Sequence, residues 1–202
     1  MRRLCLLVGL SVLGGCDADP VAMDQPASSL QGVTASPPVL LAETASEHGV
    51  VRVESFITGL VNPWSLVFLP DGSALISERP GRLRRWSAQG GLSAPLRNVP
   101  DVVAEGQGGL LDLAISPSFV DDGLIFFSYA EAGEGNLAGT AVARGRLSGD
   151  QLTDVQVIFR QQPKVATRHH FGSRLVFDGD GNLFISLGER GQRIEAQNLA
   201  SH

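Results

Sequence analysis

From Val50 onward, apolar and β-branched residues come in short alternating runs broken at close intervals by Gly, Asp or Pro, and no stretch keeps a helical period long enough for a useful helix. The pattern predicts an all-β domain. Strands are expected near 51–57, 64–69, 74–79, 82–87, 110–116, 124–130, 139–147, 153–160, 173–178 and 182–187. The runs also repeat: LVFLPDGSALIS (66–77) aligns without gaps to LVFDGDGNLFIS (175–186), identical at seven of twelve positions, at an offset of 109. Between them LAISPSFVDDGLIFFS (113–128) is a looser copy with a longer turn. The offset therefore spans two units of roughly 50 to 60 residues, a size suited to the four strands and loops of a propeller blade. A sandwich or an up-and-down barrel is the competing architecture, and two unrelated hairpins converging on an Asp-Gly turn would also give one such pair.

Upstream the texture differs. Residues 17 to about 48 are rich in Ala, Ser and Pro, including Pro20, Pro26, Pro37 and Pro38, with no sustained apolar period. Such a composition buries too little apolar surface to offset its ordering entropy, so a disordered spacer is expected. Before it, Met1-Arg2-Arg3 leads into LCLLVGLSVLGG, a positive region and then about a dozen mostly apolar residues, the length of an export signal and too short to span a bilayer. The signal ends in Leu13-Gly14-Gly15-Cys16, which resembles the bacterial lipoprotein box, where cleavage precedes the Cys and lipid joins its sulfur. The organisation expected is a lipoprotein-type signal over 1–15, a lipidated Cys16 and tether over 16–48, and a β domain over 49–202. Cys5 would leave with the signal, so no disulfide can form. Asp17, directly after the lipidation position, resembles an inner-membrane retention signal. The expected location is the cell envelope or periplasm, with the membrane contacted through lipid alone.

The candidate chemistry lies around one hairpin. In RHHFGSRLVFDGDGNLFISLGERG (168–191), two apolar runs flank Asp178-Gly179-Asp180-Gly181, a turn signal. His169 and His170 precede the first run, and Glu189 and Arg190 follow the second. A tight hairpin brings its ends together, so His170 and Glu189 can form a general base oriented by a carboxylate. The same residues also suit a plainer reading, with solvated histidines and Glu189 paired to Arg190 or Arg193. The DGDG run lacks the further oxygen ligands of a calcium loop and reads as turn chemistry, as does Asp121-Asp122.

Composition narrows the classes. At 43% apolar and 18% charged, with a net charge of -5, the chain is globular and has no Lys/Arg-rich block to neutralise phosphates, which argues against a nucleic-acid partner. The cluster Arg79, Arg82, Arg84 and Arg85 reads as a solvated strand face. There is no G-x-G-x-x-G opening a helix, no G-x-S-x-G elbow and no zinc spacing.

Three stretches in order, NPWSLVFLPDGSALISERPGRLRRW (62–86), GQGGLLDLAISPSF (106–119) and the 168–191 stretch, resemble the PQQ-dependent soluble aldose (glucose/sorbosone) dehydrogenases over roughly residues 51 to 202. The resemblance implies a six-bladed β-propeller, here an incomplete ring of about three blades forming the N-terminal portion, inactive alone. It implies oxidation of aldoses at the anomeric carbon to lactones, with PQQ as cofactor and electrons passed to an external acceptor. His170 in HFGSRL falls on the family's base, Glu189 in GERG on the acid that holds it, usually Asp, and Gln107 on a residue lining the cofactor site. His169 stands where soluble glucose dehydrogenases carry Asp, and Arg174 is a further candidate contact for cofactor carboxylates. Calcium is implied, with ligands expected in the C-terminal part. The readings from other classes are a lipid-anchored propeller that binds without catalysis and a calcium-dependent propeller lactonase.

Overall fold

A computed structural model describes residues 38–201. The signal, Cys16, Asp17 and most of the spacer lie outside the described residues. Twelve strands are present among those described. β1 (Val39–Ser46) and β2 (Gly49–Ser55) form an exposed antiparallel hairpin. β3 (Pro63–Phe68), β4 (Ala74–Glu78), β5 (Arg82–Ser87) and β6 (Gly91–Leu92) make one meandering sheet. β7 (Leu110–Ile115), β8 (Leu124–Ala132), β9 (Ala138–Ser148) and β10 (Gln151–Arg160) make a second, and β11 (Gly172–Phe177) with β12 (Leu183–Leu187) a third. All ten expected strands are found within about two residues of their expected bounds. β1 falls inside the stretch read as spacer, so part of that stretch, Val39–Ser46, is a paired strand. Average Ala/Ser/Pro content hid the local pairing of Leu40 with Glu54 and of Thr44 with Val51.

The first strands of the three sheets, β3, β7 and β11, lie side by side, which is the packing of consecutive propeller blades around an axis. Pro63 and Gly172, which open β3 and β11, are separated by the same 109 positions as the sequence repeat. The repeated turns are built alike. Gly72 and Gly181 both sit at positive φ, +79° and +85°, where a Cβ would be strained, and each turn is tied by a carboxylate: Asp71 accepts from Ser73, Asp178 from Asp180 and Asn182. The two four-stranded sheets bury Leu69, Leu75, Leu83, Leu110, Ile125 and Phe127 between them. Each such side chain contributes about 1.5–3 kcal/mol over leaving it exposed.

Polar groups set how the sheets register. Ser77 on β4 accepts the Ser65 N–H within its own sheet and donates to Leu111 O on β7. Ser128 on β8 does the same one sheet on, accepting from Asp112 N–H and donating to Ser173 O at 2.9 Å. Ser186 on β12 accepts the Arg174 N–H in the equivalent place. The repeat seen in sequence is therefore also a repeat of sheet-to-sheet hydrogen bonds. Asp112, 3% exposed, joins all three inner strands: its carboxylate accepts from Ser65 Oγ, Arg174 Nη1 and Leu175 N–H. The arginine cluster is not simply solvated, as the sequence suggested. Arg82 and Arg84 pair with the fully buried Glu78, which also accepts the Val61 N–H, while Arg85 pairs with Asp71. Burial pushes the Glu78 carboxyl up, but the Arg82 and Val61 hydrogen bonds outweigh it and hold the group below the usual carboxylate range.

Candidate active site

The hairpin β11–β12 brings its two ends together as the turn signal requires. His170, just before β11, and Glu189, just after β12, meet through Nδ1 and Oε1 at 2.7 Å. The imidazole is half-exposed and the carboxylate is 19% exposed, so one face of the ring is held and the other is open. The hydrogen bond from His170 holds the Glu189 carboxyl below the usual carboxylate range. An ionised carboxylate only accepts, so the neutral imidazole carries its proton on Nδ1 and leaves the Nε2 lone pair for another proton.

The backbone is shaped for close approach. His170 has φ 55°, a left-handed conformation that costs a residue with a Cβ about 1–3 kcal/mol and persists only where its surroundings fix it. Gly188 is needed opposite, because a Cβ there would overlap the His170 carbonyl oxygen. Gln107 approaches from the loop before β7. Its Oε1 accepts the His170 N–H at 2.8 Å, and its own N–H donates to Arg168 O. The sequence pointed to Gln107 as a cofactor contact, and in the structure its side-chain oxygen is engaged with the backbone of His170. That loop is itself held, with Arg79 donating to the carbonyls of Gly106 and Gly108, and Arg168 pairing with Glu105.

His169 packs edge-on against His170, ring centroids 4.6 Å apart. Arg174 lies within β11, its side chain 71% exposed and tied to Asp112 at 3.2 Å. The dyad, Gln107 and His169 are thus brought together directly, while Arg174 is linked to them through β11. Asp178 and Asp122 are spent on turn and loop hydrogen bonds. Among the described residues no group of three His, Cys, Asp or Glu side chains converges on a point.

The sequence marked Arg190 only as a possible partner of Glu189, and it did not mark Gln161 at all. Arg190 is 3% exposed, and Gln161, 4% exposed, donates Nε2 to Gly188 O. A cavity of about 380 Å³ takes in Gln161, Glu189 and Arg190 without reaching His170, so it borders the dyad on its carboxylate side. No motif flags an arginine beside a glutamate as buried; the sequence places it in an ordinary loop.

The sequence model of the Glucose / Sorbosone dehydrogenase family matches residues 60–202. Aldose sugar dehydrogenase YliI of Escherichia coli strain K12 is 55% identical over 152 residues, covering 74% of this chain and 41% of the relative. The apo-form crystal structure of the soluble aldose sugar dehydrogenase from Escherichia coli superposes with a TM-score of 0.68 at 54% identity, over 70% of this chain and 42% of that one. The PQQ-bound form of the aldose sugar dehydrogenase from Streptomyces coelicolor superposes with a TM-score of 0.62 at 32% identity, over 72% of this chain and 43% of that one. The chain spans less than half the length of these relatives.

Proposed function

The chain belongs to the glucose/sorbosone dehydrogenase family, and from that premise we propose that it contributes the base and its orienting acid to PQQ-dependent oxidation of an aldose at the anomeric carbon. The observation that carries the proposal is the 2.7 Å contact of His170 Nδ1 with Glu189 while the imidazole stays half-exposed. Nε2 accepts the proton of the anomeric hydroxyl, and Glu189 favours the imidazolium that forms. The carbon–hydrogen bond breaks with its electron pair leaving as hydride, so the sugar becomes a lactone.

PQQ is supported by the donor set as well as by the PQQ-bound relative. Two exposed imidazoles and the exposed Arg174 guanidinium suit an anionic quinone, and Glu189 is the one carboxylate in contact with the His170 ring among the described residues. When bound, PQQ supplies the two-electron acceptor. Arg174 would meet one of its carboxylates, and His169 and Gln107 would border it. Calcium, in this reading, takes its ligands from outside the described residues.

The test is aldose-dependent dye reduction by the full-length gene product supplied with PQQ and calcium. His170→Ala should lose about 100- to 10,000-fold in turnover with PQQ binding retained. Turnover within a few-fold of the parent removes His170 from the mechanism. We place the protein at the cell envelope through lipid on Cys16, because an apolar signal ends directly in LGGC. Labelled palmitate should enter the parent and not Cys16→Ser, and equal labelling overturns the anchor.

A further inference from the structure

Arg190 carries a charge that no carboxylate neutralises among the described residues, although it is 3% exposed. Burial, with the nearby Arg168 charge adding to it, pushes its guanidinium down to about 10, still cationic at neutral pH. The guanidinium stacks 3.6 Å above the centroid of Phe171, where a Met or Leu would pack without the cost of desolvation. The position therefore requires the donors. Nη1 donates to Ala138 O at the start of β9, Nη2 to Thr167 O and Nε to His169 O at 3.0 Å. Three carbonyls from two segments, Ala138 at the start of β9 and Thr167 and His169 in the loop before β11, converge on one planar fork, a geometry that an ammonium cannot reproduce.

The last of these bonds bears on the base. His169 O and His170 N–H belong to the same peptide group. Arg190 Nε holds its oxygen, and Gln107 Oε1 holds its N–H at 2.8 Å. That peptide leads into His170 at its left-handed φ of 55°, the strained conformation that directs the ring toward Glu189. We propose that Arg190 is a positioning residue which, opposite Gln107, clamps the His169–His170 peptide and so sets the tautomer and aim of the His170 imidazole. The clamp has two jaws from different parts of the chain, the loop before β7 and the turn after β12. A change in either one loosens the same peptide. The structural claim stands apart from catalysis, and only its kinetic consequence rests on His170 being the base.

The chain contains only four histidines, so histidine-labelled nitrogen NMR of the full chain resolves the imidazoles with little overlap. Arg190→Lys keeps the charge and loses the fork; Arg190→Gln loses both. In each variant the His170 signal should shift from a predominantly Nδ1-protonated tautomer toward the mixture of a free histidine, and amide exchange of His170 should speed up at least about tenfold. Gln107→Ala should give the same signature. In the full-length gene product with PQQ, either Arg190 variant should lower kcat by about 10- to 100-fold with KM changed less, since misaligning a catalytic group costs that order. Folded variants with unchanged His170 tautomer and exchange overturn the clamp. If neither variant folds, the parent decides: a coupling across the hydrogen bond from Arg190 Nε–H to the His169 carbonyl supports it and its absence overturns it. Moving NMR signals with flat kinetics would leave the clamp standing and reject His170 as the base.

Discussion

Asp112→Ala should unlink the three inner strands. Two carboxylate oxygens take three donors: Ser65 Oγ at 2.8 Å, Arg174 Nη1 at 3.2 Å and the Leu175 N–H at 2.7 Å. Their worth differs with burial. Leu175 is 4% exposed, so its N–H is left without a partner and costs about 1–3 kcal/mol. The Ser65 hydroxyl can turn, losing about 1 kcal/mol. The Arg174 contact adds little, because that side chain is 71% exposed and water replaces the partner. The loss comes to about 2–4 kcal/mol, or roughly 4–16 °C in Tm at about 2–4 °C per kcal/mol for a domain of this size. Asp112→Asn should cost less than Asp112→Ala, because its amide oxygen can keep the Leu175 N–H while its amide nitrogen donates to the Ser65 hydroxyl, and Ser65→Ala should cost about 1 kcal/mol. Urea unfolding followed by Trp fluorescence suits the measurement, since Trp64 and Trp86 both lie in the β3–β6 sheet. If Asp112→Ala keeps its midpoint within the effect of Ser65→Ala, the Asp112 side chain is not what joins the strands.

Other expectations follow from single groups. Tyr129 is the chain's one tyrosine, and burial, with Glu131 nearby, pushes its phenol up to about 12. The protonated form is the one the fold favours, so the associated stability is full below the unfolded value of about 10 and is lost as pH rises toward 12. Phenolate absorbance should therefore stay low at pH 10.5 and rise only near pH 12 or with unfolding; a titration centred at 10 rejects the buried placement. Ser128→Ala removes both an acceptor for Asp112 N–H and a donor to Ser173 O, and should cost about 1–3 kcal/mol in urea unfolding, while Ser186→Ala at the exposed equivalent should cost less. Equal losses would mean the serine repeat does not register the sheets. Gly188→Ala should displace the His170 carbonyl and reduce aldose-dependent dye reduction by about 100-fold; near-parental turnover would show that the close approach is not needed.

The strands and the His170–Glu189 pair were legible in the sequence because they depend on short-range rules. Alternation has a period of two, Asp-Gly turns impose positive φ at Gly72 and Gly181, and a hairpin must bring residues 170 and 189 together whatever surrounds it. The repeat at 109 carried the blade arrangement for the same reason, since each unit follows its own local pattern. The partners of polar groups were settled only by the tertiary structure. Gln107 reaches the His170 N–H from 63 positions away, and Asp112 gathers Ser65 and Leu175 from strands on either side. Arg190 reads in sequence as a possible ion-pair partner of Glu189. It is buried because the carbonyls of Thr167 and His169, from the loop before β11, converge on it with that of Ala138, from the start of β9, and bringing those two segments together depends on how the sheets pack rather than on any one run of residues.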